Sequence, residues 1–259
     1  YLGSDHDALN TPWHYLFVWI LNTTPFFYLI LMIAGIPIFL FTKEKYFYLP
    51  LIFLFTILIP ILLVIFFNIA LYDGWRHFYF IAPFLTILCL ITIDYLIKCK
   101  INKLIKFFFM IVLVSSFSKN IYDLKKLHPY QNLYFNYLFV SNPYELFDKD
   151  YWGLTNRIVL ENFYEKIQDK QIIYADASTI ITKTSDFLNK FYKREFLHYQ
   201  DLNDLNKGPL YFFVLNRYHP PYDLIRKKSK TIYEYKVDNT LINGVYEFKN
   251  INDFINYQK

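Results

Sequence analysis

The chain of 259 residues is poor in cysteine and glycine, and each shortage excludes a class of protein. The two cysteines, Cys89 and Cys99, lie within or beside an apolar stretch, so the sequence predicts no disulfide framework. The 6 glycines form no glycine-rich phosphate loop. A CxxC pair, an HExxH helix and a G-x-S-x-G elbow are also absent. These absences argue against P-loop nucleotide hydrolases, zinc proteases and serine hydrolases.

Charge of either sign is sparse, and the small excess of basic residues is not concentrated in one block. The chain has 27 Lys and Arg against 22 Asp and Glu, a net charge of +5, and most charged residues follow residue 117. No basic block of the kind that binds nucleic acid is present. We therefore expect no nucleic-acid partner.

Long stretches without charge dominate the first part of the chain. Trp13 to Thr42 and Tyr46 to Tyr72 contain no Asp, Glu, Lys or Arg, and two shorter apolar stretches follow them. A helix needs about 20 mostly apolar residues to cross a bilayer core of roughly 30 Å. The pattern predicts a short interfacial helix and four membrane spans, over residues 13–22 and over 25–41, 46–71, 77–97 and 101–117.

The lysines between these stretches predict an orientation. One short loop holds Lys43 and Lys45, and a second holds the four lysines from Lys98 to Lys106. Loops rich in Lys and Arg face the cytoplasm. We therefore expect a multi-pass protein of the cytoplasmic (inner) membrane whose carboxy-terminal domain is extracytoplasmic.

The part after residue 117 favours a small α/β domain. Residues 171–175 and 210–215 are apolar runs of strand length, and 178–192 suits a crossover helix between them. Residues 231–237 and 245–248 are typical of a terminal hairpin. The predicted fold class is a multi-span α-helical membrane domain followed by a small extracytoplasmic α/β domain. The predicted boundaries are a transmembrane domain over 1–117, a membrane-proximal connector over 118–153 and a soluble domain over 154–259.

The most informative polar cluster runs from Tyr72 to His77, between the second and third predicted spans. Arg76 offers a planar fork of donors that suits phosphate, Trp75 can line a sugar or lipid, and His77 can donate or accept a proton. Two interpretations remain open. The cluster is an outward-facing anion site, or Asp73 and Arg76 pair to cap two helices while Trp75 lies at the membrane interface.

Three other clusters carry weaker patterns. His128 and Tyr130, with neighbouring aromatic and amide residues, suit substrate binding or the packing of an aromatic segment. Asp148 and Asp150 precede Thr155, a suitable helix N-cap, so they can hold a cation or a sugar or simply favour the helix start. Residues 5–7, Asp-His-Asp, supply too few ligands for a metal site. We expect no metal.

Taken together, three stretches resemble bacterial membrane glycosyltransferases of the protein mannosyltransferase-like family 39, in the GT-C group. They are Thr11 to Pro25, Tyr72 to Phe78, and His128 to Gln131 with Asp150 to Leu154. In order and placement they look like the carboxy-terminal half of such an enzyme, so we interpret the chain as a fragment with a GT-C-like, partial membrane domain.

The resemblance implies transfer of a sugar from a polyprenyl-phosphate carrier to a glycan or protein acceptor on the outer face of the membrane, without a cofactor. It also implies a general base in the first external loop, which we expect upstream of Tyr1. The expected substrate-binding residues are Arg76, His77, Asp73, Trp75, His128 and Tyr130.

Two other functions remain open. One is a non-catalytic membrane subunit that binds a lipid-linked glycan through the Tyr72 to His77 cluster. The other is a polytopic transporter, which the sequence disfavours because the first two predicted spans contain no ionisable residue deep in the bilayer.

Overall fold

A computed structural model describes most of the chain. The described residues are 2–3, 11–41, 48–72, 74–150, 152–176, 184–185, 188, 190–204, 207–215, 222–237 and 239–258. The chain divides into two compact units, Tyr1–Pro143 and Tyr144–Lys259.

The first unit is helical. Its helices are α1 (Tyr15–Thr23), α2 (Phe26–Phe41), α3 (Tyr48–Phe67), α4 (Ala82–Lys98), which a 3₁₀-helix over Arg76–Ile81 precedes, and α5 (Lys103–Leu127). The predicted break between α1 and α2 is confirmed, because Thr24 is extended ahead of Pro25. Proline disfavours helical backbone at the residue before it. At the start of α5, the Asn102 side chain accepts the Leu104 N–H at 2.9 Å and so acts as its N-cap.

A glycine brings α2 and α4 into close contact. A Cβ atom on Gly35 would lie 2.4 Å from the carbonyl oxygen of Leu88 and 3.0 Å from Thr92 Oγ1. The Thr92 hydroxyl donates a hydrogen bond to the Leu31 carbonyl of α2 at 2.7 Å. Because glycine has no Cβ, the two backbones approach closely enough for this side-chain-to-backbone bond to form.

The prediction of a four-span membrane domain is wrong. In the described part of the chain, only Arg76–Lys98, of 23 residues, and Lys103–Leu127, of 25 residues, are long and apolar enough to cross a bilayer. Helix α2 has 16 residues, which at about 1.5 Å per residue is about 24 Å, short of the roughly 30 Å of a bilayer core. Helix α3 ends at Phe67, not at residue 71, because Asn68 takes a left-handed conformation with φ of 46°.

The part of α3 whose side chains the structure describes, Ile52–Phe67, also falls among the shorter apolar helices. Uncharged composition therefore predicted the apolar character of the segments, but α2 is too short to cross a bilayer and α3 ends four residues earlier than predicted. The first unit is therefore not the four-span membrane domain predicted from the sequence.

The second unit is built on a five-stranded mixed sheet. Its strands are β1 (Gln171–Asp176), β2 (Glu195–His198), β3 (Leu210–Leu215), β4 (Lys230–Val237) and β5 (Thr240–Phe248). The strand order is β2-β1-β3-β5-β4. Strand β1 is parallel to both β2 and β3, while β5 is antiparallel to β3 and β4. The predicted strands at 171–175 and 210–215 and the terminal hairpin are confirmed.

Short helices complete the chain: α6 (Pro143–Leu146) at the boundary between the units, α7 (Asn156–Lys166), α8 (Tyr222–Lys228) and α9 (Ile251–Gln258). Most of the predicted crossover helix, 178–192, lies outside the described residues, but those described within it are helical.

Apolar side chains cover both faces of the sheet. On one face, which we call the α7 face, Leu160 and Phe163 of α7 pack with Ile172 and Phe213. On the other face, helices α8 and α9 pack with the neighbouring strand residues; the cluster includes Ile173, Phe212, Phe248, Ile225 and Phe254. Successive strand residues point to opposite faces, which is why consecutive isoleucines of β1 belong to different clusters. The central strand β3 is buried along its whole length.

Candidate functional site

An arginine, a tyrosine and a histidine form a cluster at the start of the Arg76–Lys98 segment. The guanidinium carbon of Arg76 lies 4.9 Å from the centroid of the Tyr72 ring, and the His77 ring lies 4.7 Å from the same ring. Tyr72 and His77 are exposed, and Arg76 is half-buried. A cation over an aromatic face is stabilised by the ring electrons. We call Tyr72, Arg76 and His77 the arginine cluster.

The arginine cluster lies at a helix N-terminus. Arg76 begins the 3₁₀-helix that leads into α4, and neither helix has an acidic residue in its first turn. Backbone N–H groups at a helix start are only partly hydrogen-bonded and carry partial positive charge. With the guanidinium beside them, they form a place suited to an anion such as phosphate.

Residues next to the cluster are attached to α1. The Trp75 indole N–H donates to Thr23 Oγ1 at 3.0 Å, and the Gly74 N–H donates to the Tyr15 hydroxyl at 3.2 Å. Gly74 has a φ of +70°, where a side chain would be strained, and a Cβ atom added there would lie 3.5 Å from the Trp19 ring. These contacts fix the backbone that leads into Arg76. The Trp75 ring, predicted to line a sugar or lipid, has its N–H engaged in this attachment.

A third segment is attached to the end of α1. The Asn136 side-chain N–H groups donate to the carbonyl oxygens of Leu21 and Thr24, and its backbone N–H donates to the Asn22 carbonyl at 2.7 Å. Asn136 is only 8% exposed. Its side chain therefore pairs α1 carbonyls that the end of the helix leaves without an intrahelical partner.

The structure thus joins parts of two of the stretches that carry the resemblance, and it adds a residue that follows the third. Helix α1 contacts the Gly74–Trp75 turn, and it contacts Asn136 a few residues after the His128 to Gln131 stretch. The contacts are separated by 59 and 115 residues along the chain, which no local pattern predicts. Tyr15 and Asn136 were not predicted as site residues. The sequence indicated them only in that Tyr15 lies within a motif stretch and Asn136 closely follows one.

The other predicted site residues are placed as follows. Asp73 lies outside the described residues. His128 is exposed, and its Nδ1 lies 2.9 Å from Gln131 Nε2, so the hydrogen bond described for this ring stays within its own turn. Tyr130 is buried, with 6% of its surface exposed. The assignment of His128 and Tyr130 to substrate binding stays a prediction.

Asp150 binds the residues that lead into helix α7, which begins at Asn156. Its carboxylate accepts the N–H groups of Leu154 and Thr155 at 2.9 and 2.8 Å and the Thr155 hydroxyl at 2.6 Å. The residue is fully buried. A buried carboxylate that accepts three hydrogen bonds at a helix start stabilises that helix. Of the two interpretations of this acidic stretch, the geometry of Asp150 fits the structural one.

No group of three or more His, Cys, Asp or Glu among the described residues lies close enough to share a metal ion. Residues 5–7, which the sequence analysis considered for such a site, lie outside that part of the chain.

Comparison with known proteins gives no relative. No protein-family model, no curated protein and no solved structure matches this chain. Its function has to be inferred from its own residues.

Proposed function

We propose that the chain is part of a membrane glycosyltransferase that receives a sugar from a polyprenyl-phosphate carrier, with the arginine cluster binding the carrier phosphate. One observation supports this most directly. Arg76 lies over Tyr72 at the N-terminal end of one of the two segments long and apolar enough to cross a bilayer. The phosphate of a lipid carrier lies at the depth where such a segment would meet the headgroups.

Exposed apolar surface supports the membrane location. None of the apolar window of Lys103–Leu127 is buried against the rest of the chain, and only 22% of that of Arg76–Lys98 is. The core helix of a water-soluble protein buries such a face, and a large exposed apolar surface marks a partner or a membrane. We propose that these two segments cross the bilayer as a helical hairpin.

Lysines give the hairpin an orientation. Lys98, Lys100, Lys103 and Lys106 all lie in or beside the connection between the two segments. Since basic residues favour the cytoplasmic side, we assign this connection to the cytoplasm. The arginine cluster and the chain after Leu127 are then extracytoplasmic, where the carrier presents its sugar.

The chemistry assigned to the cluster is stabilisation of a leaving group. When the sugar is transferred, the bond between its anomeric carbon and the phosphate oxygen breaks and negative charge develops on the phosphate. Arg76 and the helix N–H groups stabilise that charge. The acceptor hydroxyl, on a glycan or a protein, needs a base to take its proton, and we assign that role to none of the described residues.

A transfer assay tests the proposal. Vesicles containing the full chain are given a radiolabelled polyprenyl-phosphate sugar, and label in the acceptor fraction is counted. Arg76→Ala should reduce transfer by about a hundredfold or more, the usual effect of losing one donor to a developing anion. Arg76→Lys should be intermediate, because it keeps the charge but loses the fork.

The matched control is Arg157→Ala, which removes an exposed arginine of α7 that pairs with Glu161 on the same helix. It should leave transfer unchanged. Normal transfer by an Arg76→Ala protein that reaches the membrane in normal amounts refutes the role of Arg76.

A further inference from the structure

The strand order of the second unit predicts a binding crevice at one edge of its sheet. Leu188, between β1 and β2 in the chain, packs on the α7 face, whereas Tyr199 and Leu202, which follow β2, pack on the opposite face. The connection from β1 to β2 and the connection from β2 to β3 therefore lie on opposite faces of the sheet. Strand β1 lies between β2 and β3. In sheets of this kind ligands bind outside the carboxyl ends of the strands where the connections diverge. We call this place the carboxyl-edge crevice.

Two buried asparagines at this edge have unpaired polar atoms. Asn243 of β5 lies opposite Leu215, the last residue of β3, and Asn156 is the first residue of α7. Each is 1% exposed. Asn243 Oδ1 and Asn156 Nδ2 have no hydrogen-bond partner in the described structure. Buried polar atoms are paired in the great majority of cases, so unpaired ones at a crevice point to a ligand.

A chain of hydrogen bonds fixes which amide atoms remain unpaired. The Asp150 carboxylate can only accept, so the Thr155 hydroxyl donates to it and can accept from another group. Asn243 Nδ2 donates to that hydroxyl at 3.1 Å and to Asn156 Oδ1 at 2.8 Å. Exchanging the atoms of either amide breaks these bonds. The crevice therefore offers one acceptor, Asn243 Oδ1, and one donor, Asn156 Nδ2.

A carboxyl group with an unpaired oxygen lies nearby on the same face of the sheet. Asp176 ends β1 and lies opposite Phe213 of β3, and its Oδ2 is buried without a partner among the residues described. Burial raises the pKa of this carboxyl to about 6. Asp176 and Asn243 are two strands apart across the sheet and two residues apart along the strands. With about 4.8 Å between neighbouring strands and about 3.3 Å per residue, their Cα atoms are about 12 Å apart.

We propose that the carboxyl-edge crevice binds a neutral saccharide through Asp176, Asn156 and Asn243. Each sugar hydroxyl both donates and accepts a hydrogen bond, which matches the unpaired set of one donor, Asn156 Nδ2, and two acceptors, Asn243 Oδ1 and Asp176 Oδ2. A carboxyl in this position disfavours phosphate and other anions. His198 ends β2 and lies half-buried opposite Tyr174 of β1, with 5.2 Å between the two ring centroids. Tyr174 precedes Asp176 by two residues in β1, so these rings offer a stacking face on the same side of the sheet. This binding does not depend on the proposed sugar transfer.

A saccharide array tests the inference. The full chain, in lipid nanodiscs, is applied to an array of neutral and acidic oligosaccharides, and the dissociation constant of the best neutral one is then measured in solution. The wild type should bind at least one neutral oligosaccharide. Asp176→Asn should weaken binding at least tenfold while folding normally, because it removes a buried charge and keeps the shape. Asn243→Ala should also weaken it.

Two controls separate the possible outcomes. Asp253→Asn, at an exposed position of α9, should bind like the wild type. Arg76→Ala should also bind normally, so failure of the proposed transferase function leaves this result intact. The inference is overturned if the wild type binds no neutral oligosaccharide, if it binds only acidic ones, or if Asp176→Asn binds with unchanged affinity.

Discussion

Replacing Gly35 by alanine should separate α2 from α4. The new methyl group would meet the Leu88 carbonyl oxygen at 2.4 Å, whereas ordinary van der Waals contact begins near 3.4 Å. The helices must therefore move apart by about 1 Å. The same movement lengthens the 2.7 Å bond between Thr92 and Leu31 beyond hydrogen-bonding distance. Overpacking costs about 1–3 kcal/mol and the lost hydrogen bond about 1 kcal/mol, so the variant should lose about 2–4 kcal/mol of stability.

Thermal unfolding of the full chain in detergent micelles measures this loss. At about 2–4 °C per kcal/mol, Gly35→Ala should lower the unfolding temperature of the first unit by roughly 4–16 °C. The control Ile33→Ala, at a residue that is 64% exposed on the same helix, should change it much less. Thr92→Val combined with Gly35→Ala should cost less than the sum of the two, because both break the same bond. An unchanged unfolding temperature for Gly35→Ala refutes the close packing of α2 on α4.

Three further predictions concern side chains outside the α2–α4 contact. Asp150→Ala should lower the free energy of unfolding of the second unit by about 2–4 kcal/mol in a urea titration, since three donors, two of them buried, lose their acceptor. Asp201→Ala, at an exposed position, is the control and should cost less than about 1 kcal/mol. Asn136→Ala leaves α1 carbonyls unpaired and should speed limited proteolysis after residue 136; equal rates contradict the attachment. Because burial raises the pKa of Asp176 from 3.8 to about 6, the folded state binds its proton more tightly than the unfolded state. Stability of the second unit should therefore fall as pH rises from about 4 to about 6, and Asp176→Asn should abolish that fall; a slope of the opposite sign rejects the assignment.

Much of the second unit could be predicted from local sequence. The run Leu210–Leu215 consists of apolar and aromatic residues and becomes the fully buried central strand. The terminal hairpin follows from two runs of strand-forming residues joined by a short polar link. Strand β2, Glu195–His198, was not predicted, because its four residues include two polar ones and their extended backbone is fixed by pairing with β1.

Hydropathy alone misjudged the first unit, because the ends of helices depend on single backbone conformations. The apolar run after residue 46 extends to Tyr72, but Asn68 ends the helix four residues before it. Pro25 divides the first run, a break that the sequence did predict, and leaves α2 with 16 residues, too few to cross a bilayer core. Asn68 does not change the apolar composition enough to be detected by a search for uncharged stretches.

The candidate site was predictable in its chemistry but not in its assembly. Arg76 and His77 follow from residue type and from their place beside an apolar segment. The Tyr72 ring between them was not assigned a role, and the attachment through Asn136 joins residues more than a hundred positions apart. Such contacts are set by how the helices pack, and a single sequence carries no local signal for them.

The central claim is that Arg76 holds a lipid-linked phosphate, and equilibrium binding tests it most directly. The full chain in nanodiscs is titrated with polyprenyl phosphate and, separately, with uncharged polyprenol of the same length. The wild type should bind the phosphate more tightly than the alcohol, and Arg76→Ala should lose about 10- to 100-fold of that preference, since a hydrogen bond to a charged group contributes about 1.5–3 kcal/mol. Arg157→Ala should keep it. Equal affinity of the wild type for the two lipids, or an unchanged preference in Arg76→Ala, contradicts the claim.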